Sequence, residues 1–392
     1  VSEIKVVLGY GLGVDSTAIL LRWIHEPQTR PCALGELLVV TAMTGNEWDK
    51  TGQLVRDHIL PLLRGHGIRY SQLARRGPSR AHDGYIVLSD TDWPETLYID
   101  GCYKLEDEMT VSGTVPQVGG IRKCSIKAKG EVIDDFLAAI LGGRPFLHVI
   151  GYEANELGRA VRDAKYNTAQ RTGSYPLIEW DWDRATCEAY ITKMTGATWV
   201  KSACTFCPFA LANKAGQERV KDMYSCEPLS GVSALVMEYR SISLNPNQGL
   251  IKYGSLLDLL RRTGQHNEVL RAWGKTMAAM EWRIYEVQRV AMPTRDDPSK
   301  GVWNRSVRSI AAGTRQEMLG DLEELAAAEG AVIEKDELAV SRAWTTRRSA
   351  GFPSYERLYV VAPAGARDKE EKRFQTAMAR YLEHVAGVTA GA

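Results

Sequence analysis

No apolar run in the 392 residues approaches the ~18 needed to cross a bilayer. The first residues lack the basic-then-apolar order of a secretion signal, because Val6-Val7-Leu8 runs straight into glycines. A cytoplasmic protein with no membrane partner is therefore expected. Cysteine is sparse and odd in number, seven in all, and none follows Cys226. That usage excludes a disulfide framework. Excess charge of either sign is missing too: the formal net charge is +1, so charge alone does not mark a nucleic-acid binder. No internal repeat is present. What remains, 44% hydrophobic and 25% charged residues, is ordinary for one large globular domain or two smaller ones.

Alternating strand and helix patterns fill the first third of the chain. Ile4–Leu8, Leu37–Ala42, Ile68–Leu73 and Phe146–Tyr152 read as buried strands. Ser16–His25, Leu54–Leu63 and Glu131–Leu141 read as helices between them. Such alternation implies a parallel sheet covered by helices. Residues 75–120, broken by Gly, Pro, Asp and Ser, read as a long irregular insertion over the site. Tyr175–Trp180 reads as a short extended piece, and Asp183–Met194 as a helix with Asp183 as N-cap. After Pro208 apolar residues from Met237 to Tyr285 recur at helical intervals, and Ala291–Lys300 reads as a linker. A smaller unit follows, with helices at Gln316–Glu329 and Lys369–His384 and a strand at Leu358–Ala362. The expected organisation is a nucleotide-binding domain over 1–230, a helical extension over 231–292 and a small C-terminal α+β accessory domain over 293–392.

Two motifs carry chemistry. Gly9-Tyr10-Gly11-Leu12-Gly13-Val14-Asp15-Ser16-Thr17 joins the first strand to the first helix. Its glycines permit a tight turn, and the free N–H groups of the turn and of the helix start form an anion site. Ser16 and Thr17 add hydroxyl donors. No Lys precedes Ser16, so this is not the Lys-bearing P-loop. Thr44-Gly45-Asn46-Glu47 follows the second strand, on the ligand edge of such a sheet. The second motif, Cys204-x-x-Cys207-Pro208, can hold one metal ion with both thiolates; zinc and iron–sulfur both suit it, and a redox disulfide lacks its usual context. Cys124 lies upstream in a basic stretch with Arg122, Lys123, Lys127 and Lys129. Asp15, Glu47 and Glu153 are oxygen donors for Mg²⁺. Cys32 and Cys102 read as packing residues.

The loop resembles the S-G-G-x-D-S pyrophosphate loop of the ATP-pyrophosphatase superfamily at Gly13, Asp15 and Ser16. It departs at Gly11, where Ser is usual, and at Leu12, where Gly is usual. Thr44-Gly45 resembles the D-T-G segment of phosphoadenosine- and adenosine-phosphosulfate reductases, with Met43 for Asp. Over residues 1–230 the chain resembles that reductase-like branch, with Arg122-Lys123-Cys124-Ser125 and Tyr175-Pro176-Leu177-Ile178-Glu179 adding to the set. The resemblance implies a doubly wound, mostly parallel α/β sheet of the adenine nucleotide alpha hydrolase-like kind. It implies ATP and Mg²⁺ held by Gly9, Gly11, Gly13, Asp15, Ser16, Thr17, Thr44, Gly45, Arg122 and Lys123. Asp15, Ser16 and Lys127 become the candidate catalytic groups.

It also implies a [4Fe–4S] cluster on Cys124, Cys204, Cys207 and a fourth thiolate, Cys187 or Cys226, of which Cys187 lies in a segment that resembles phage-type members. Two alternatives stay open: a three-cysteine cluster with one open iron, as in related tRNA thiolases, and zinc. Sulfonucleotide reductases carry a nucleophilic Cys near the C-terminus, and this chain has none there. The activities the resemblance leaves are DNA phosphorothioate modification, favoured, and tRNA thiolation, each supplied with sulfur by a cysteine desulfurase partner. A zinc-stapled nucleotide-binding module of a defence complex, without sulfur chemistry, is the non-enzymatic alternative.

Overall fold

The computed structural model describes residues 3–119, 122–262, 264, 266–370 and 372–390, with side chains described through 386. The described chain forms two compact units, one of residues 1–108 and 119–207, the other of residues 109–118 and 208–392. The division falls at 207/208 rather than at 230. The expected helical extension and accessory domain form a single unit.

The first unit is built on β1 (Val6–Gly9), β2 (Leu37–Met43), β3 (Arg69–Arg75), β4 (Tyr85–Thr91), β5 (Phe146–Ile150) and β6 (Arg171–Ser174). Their order is β4-β3-β2-β1-β5-β6. All pairs are parallel except β3 with β4. The sheet is thus α/β, mixed and mostly parallel.

Near-continuous aliphatic sequence makes β1 and β2 central, because both faces must be apolar to be covered. Val6, Leu8 and Val39 point to one core with the Val14–His25 and Arg184–Thr195 helices. Val7, Leu38 and Val40 point to the other with Val132, Phe136 and Leu137 of the Glu131–Leu141 helix. That last helix stops at Gly142, whose φ of 58° ends the turn in the left-handed region. Asp183 does cap the Arg184–Thr195 helix, accepting the Thr186 N–H at 2.8 Å.

The order in which successive strands are added reverses between β1 and β5. Such a switch point opens a crevice at the carboxyl ends of the strands. Gly9 and Ile150 are those ends, so the glycine loop emerges at the crevice.

Two expectations for this unit change. The 75–120 insertion contains β4, the antiparallel edge strand, and the helix Leu105–Ser112; Gly120 lies outside the described residues. The Tyr175–Trp180 segment is helical at Pro176–Glu179, as Pro at the first helical position permits.

The second unit opens with the helices Lys214–Cys226, Pro228–Leu244, Leu256–Arg261 and Asn267–Ala279. They are followed by an antiparallel sheet of β7 (Trp282–Pro293), β8 (Gly301–Gly313), β9 (Val332–Lys335), β10 (Ser341–Thr346), β11 (Ser354–Pro363) and β12 (Lys369–Glu370), in the order β12-β8-β7-β11-β10-β9. The Ala291–Lys300 stretch is not a linker but the end of β7 and the turn into β8. Trp282 and Tyr285, expected in a helix, lie in β7. The helices Arg315–Ala328 and Lys372–Ala390 complete the unit. Among the described residues no helix is long and apolar enough to cross a membrane.

Candidate functional site

The glycine loop folds around buried side chains rather than around space. Tyr10 and Leu12 are buried, and the Tyr10 hydroxyl lies 3.2 Å from that of Thr17. Leu12 has φ 60°, the left-handed conformation that glycine prefers. For an L-residue that conformation costs about 1–2 kcal/mol. Burial of the Leu12 side chain offsets the strain, and its carbonyl accepts the Trp199 indole N–H at 3.0 Å. The unusual Leu therefore occupies a glycine-type turn. Beyond it no side chain caps the Val14–His25 helix, and Ser16 Oγ accepts the Gly11 N–H at 3.2 Å. Asp15 lies in the first turn.

Asp15 is the electrostatic centre of this end. Its Oδ2 accepts from Arg184 Nη2 at 2.9 Å, while Oδ1 is buried without a partner. Burial pushes its carboxyl up to about 6, Arg184 opposing and Glu156 and Glu153 adding to the rise. Glu156 Oε2 is likewise buried without a partner, its other oxygen meeting Arg159 at 2.6 Å. Glu153 accepts the Arg184 N–H at 3.0 Å. Asp15 and Glu156 thus each leave one buried carboxylate oxygen without a partner, the kind of donor that a hard cation takes.

Gly151, just after β5, makes this packing possible. A Cβ there would lie 2.9 Å from the Ser16 nitrogen and 3.0 Å from Asp15 Cβ. Gly151→Ala is expected to push the helix start out of place. Nucleotide affinity should then fall at least about tenfold, the effect of ~1.4 kcal/mol, read by calorimetric titration with a non-hydrolysable ATP analogue. Unchanged affinity would show that the helix start is not the anion site.

The Cys-x-x-Cys loop is stitched to the glycine loop. Ser202 Oγ lies 2.8 Å from the Gly11 carbonyl and 2.6 Å from Glu47 Oε2, and its single proton can serve either. Glu47 Oε1 accepts the N–H groups of Ala203 at 2.9 Å and Trp48 at 3.3 Å. The Thr205 N–H donates to the Asn46 carbonyl at 2.8 Å, and Glu47 pairs with Cys204 in an isolated antiparallel bridge. Thr44 Oγ1 lies 3.4 Å from Cys204 Sγ. Gly45, at φ 76°, has no room for a Cβ, which would meet Lys104 Cγ at 2.6 Å. Burial raises the Glu47 carboxyl, against Ser202 and Lys129. Burial pushes the Cys204 thiol up to about 11, with Lys129 and Thr44 opposing.

The cysteines divide. Cys204 and Cys207 share a turn closed by the Cys207 N–H on the Cys204 carbonyl at 2.9 Å. Cys124 is half-buried, and the charge of Cys207 reaches it. Cys187 is fully buried in the apolar core with Ile191 and Leu177, and burial pushes its thiol up to about 12. Cys226 is an exposed residue of the second unit. Cys32 packs against the core as expected, whereas Cys102 is exposed. Among the described residues no three His, Cys, Asp or Glu side chains are grouped to hold a metal ion. Cys187 sits in the core beneath the glycine-loop end of the sheet, where the charges of Asp15 and Arg184 also reach it.

The basic stretch also divides. Lys127 Nζ is 3.3 Å from Glu108 Oε1, in a cavity of about 220 Å³ lined also by Arg75, Arg80 and Asp135. Lys129 is the cation whose charge acts on Glu47 and Cys204. Arg122 and Lys123 are exposed at a short helical turn. Ser202, Trp199 and Arg184 carry the site's internal bonds yet belong to no motif. Their one sequence signal is closeness to the cysteines. No protein-family model, curated protein or solved structure matches the chain.

Proposed function

We propose that the first unit is an ATP pyrophosphatase with an adenine nucleotide alpha hydrolase-like fold, which adenylates a nucleic-acid acceptor ahead of sulfur insertion. A backbone phosphate of DNA is favoured over a tRNA base. One observation carries the reading: the Ser202–Glu47 bridge ties an uncapped, glycine-turned helix start to a loop bearing two thiols.

The amides of the helix start hold the ATP phosphates. Asp15 and Glu156 are the residues that would hold Mg²⁺, which supplies charge neutralisation to the phosphates. A phosphodiester oxygen of the acceptor attacks the α-phosphorus, and its bond to pyrophosphate breaks. The acceptor oxygen now belongs to a mixed anhydride with AMP. A cysteine desulfurase partner delivers sulfur as a persulfide, which a thiol reductant converts to hydrosulfide as two thiols become a disulfide; hydrosulfide then attacks the acceptor phosphorus, AMP leaves together with that oxygen, and a phosphorothioate and one proton remain. No oxidant enters. Backbone amides and Lys129 stabilise charge on the departing groups.

Cys124, Cys204 and Cys207 are the thiols that would hold an iron–sulfur centre, and a zinc staple at the same thiols is the second reading. Iron, acid-labile sulfide and zinc content of anaerobically purified protein separates the two. Cys187→Ser is expected to keep the metal and to lose about 1–3 kcal/mol of stability from a buried hydroxyl. Cys204→Ser is expected to lose the metal. The function itself is tested by incubating duplex DNA with Mg²⁺-ATP, a desulfurase, cysteine and a dithiol reductant, then digesting it for mass spectrometry. Phosphorothioate dinucleotides are the expected product; their absence alongside ATP cleavage would leave a nucleotide-cleaving module without sulfur chemistry.

A further inference from the structure

We propose that the groove between the Lys372–Ala390 helix and the turn end of the β7–β8 hairpin, in the second unit, docks the phosphate backbone of duplex DNA. The groove encloses about 620 Å³. Lys372, Arg373 and Arg380 line it from the helix, Asn304 and Val302 from β8 and Met292 from β7. No carboxylate and no aromatic ring lines it among the described residues.

The wall is rigid on one side and charged on the other. Phe374 and Ala377 are buried against Val290, which fixes the helix on the sheet. Fixing those positions turns residues 373 and 380 to one neighbouring stripe, since residues seven apart share a helix face. Lys372, Arg373 and Arg380 are exposed, and among the described residues none is paired with an acid. Elsewhere in this unit arginines are taken up by carboxylates, as Arg308 is by Glu286 at 2.7 Å and Arg289 by Glu356 at 2.7 Å. The three groove cations are thus left for a partner of opposite charge.

The spacing and the lining choose the partner. Seven helical residues rise about 10 Å, which is about three steps of 3.4 Å along one DNA strand. Single strands are held through bases stacked on aromatic side chains, and this groove offers none. Cations with an amide and aliphatic walls suit phosphates approached from outside, which read no sequence. The choice of DNA over another polyanion rests on the function proposed above; the groove and its charge do not.

The test is anisotropy of a fluorescein-labelled 20-base-pair DNA duplex titrated with the full chain, without nucleotide. Binding should be independent of sequence, and its logarithm should fall with log salt at a slope of about −2.7 for three phosphates. Lys372→Ala/Arg373→Ala/Arg380→Ala should bind at least about tenfold more weakly with a flattened slope. Arg373→Gln/Arg380→Gln, gentler at two exposed positions, should lose about two-thirds of the slope. Lys252→Ala/Arg271→Ala/Lys275→Ala removes equal charge from exposed positions elsewhere in the unit and should stay within about twofold of wild type. Equal loss in that control, no loss in the groove variants, or no binding by wild type would overturn the proposal. An RNA duplex bound at least tenfold tighter than DNA would overturn the choice of DNA. Pyrophosphate release measured without DNA reports on the first unit alone, so failure of the groove and failure of the ATP reading are distinguishable.

Discussion

Asp15→Asn should abolish pyrophosphate release from ATP while making the free protein more stable at neutral and higher pH. The two effects have one cause. The Asp15 carboxylate is 18% exposed, has one oxygen on Arg184 and leaves the other without a partner. Its folded-state value of about 6 lies above the ordinary 3.8. Between those values the native state holds a proton that the unfolded state has lost. Stability therefore falls as pH rises through the window and stays lowered above it. A shift of this size corresponds to about 3 kcal/mol once the group is ionised. Asparagine removes the ionisation but also gives up the ion pair with Arg184, so a net gain of about 1–3 kcal/mol is expected near pH 8. The gain should shrink toward zero as pH is lowered to about 4. Chemical unfolding of both proteins across that range reads it. Loss of turnover should exceed about a hundredfold, the scale of removing one preorganised electrostatic group from a phosphoryl-transfer site. A destabilised Asp15→Asn with normal turnover would mean that Asp15 is an ordinary structural ion-pair partner.

Glu47→Ala should damage both halves of the site at once. Its two oxygens receive Ser202, Ala203 and Trp48, and it stands between the glycine loop and the cysteine turn. Truncation leaves the Ala203 N–H without its acceptor and the Ser202 hydroxyl with the Gly11 carbonyl alone. A loss of about 2–4 kcal/mol in stability follows from orphaned buried donors. Alkylation of Cys204 should speed up, because the bridge that buries it is cut, and nucleotide affinity should fall with it. Ser202→Ala should show part of the same pattern. A double-mutant cycle should give a coupling of about 1–2 kcal/mol between Glu47 and Ser202. Additive single effects would show that the two loops merely lie side by side.

The parallel half of the fold was legible because its physics is simple. Ile4–Leu8, Leu37–Ala42, Ile68–Leu73 and Phe146–Tyr152 each lie within two residues of an observed strand start, since strands covered on both faces must be aliphatic. The antiparallel half was not. In β8, Arg305 and Arg308 interrupt any apolar alternation, and Arg308 is satisfied across the register by Glu286 of β7. Arg289 meets Glu356 in the same way across β7 and β11. Charges neutralised by a neighbouring strand leave no hydrophobic period to read, so the hairpin passed for helix and linker. At the site, the motifs marked the glycine turn and the Cys-x-x-Cys loop. They did not mark Ser202, Trp199 or Arg184, whose side chains reach partners 155 or more residues away in sequence. Nor could spacing separate Lys127 from Lys129: the π-helical turn Ile126–Gly130 sends one to Glu108 and leaves the other acting on Glu47. Cys187 drew notice by its type, and the core burial that sets it apart is a property of the folded helix.

The most direct measurement is the product of ATP cleavage by the purified full chain with Mg²⁺, using ATP labelled at the α-phosphate in one reaction and at the γ-phosphate in another. A site built on this glycine turn for adenylation should release labelled pyrophosphate and leave the α-label on AMP or on the nucleic acid. Wild type should do so and Asp15→Asn should not. Labelled orthophosphate with ADP, or no cleavage and no nucleotide binding, would contradict the account.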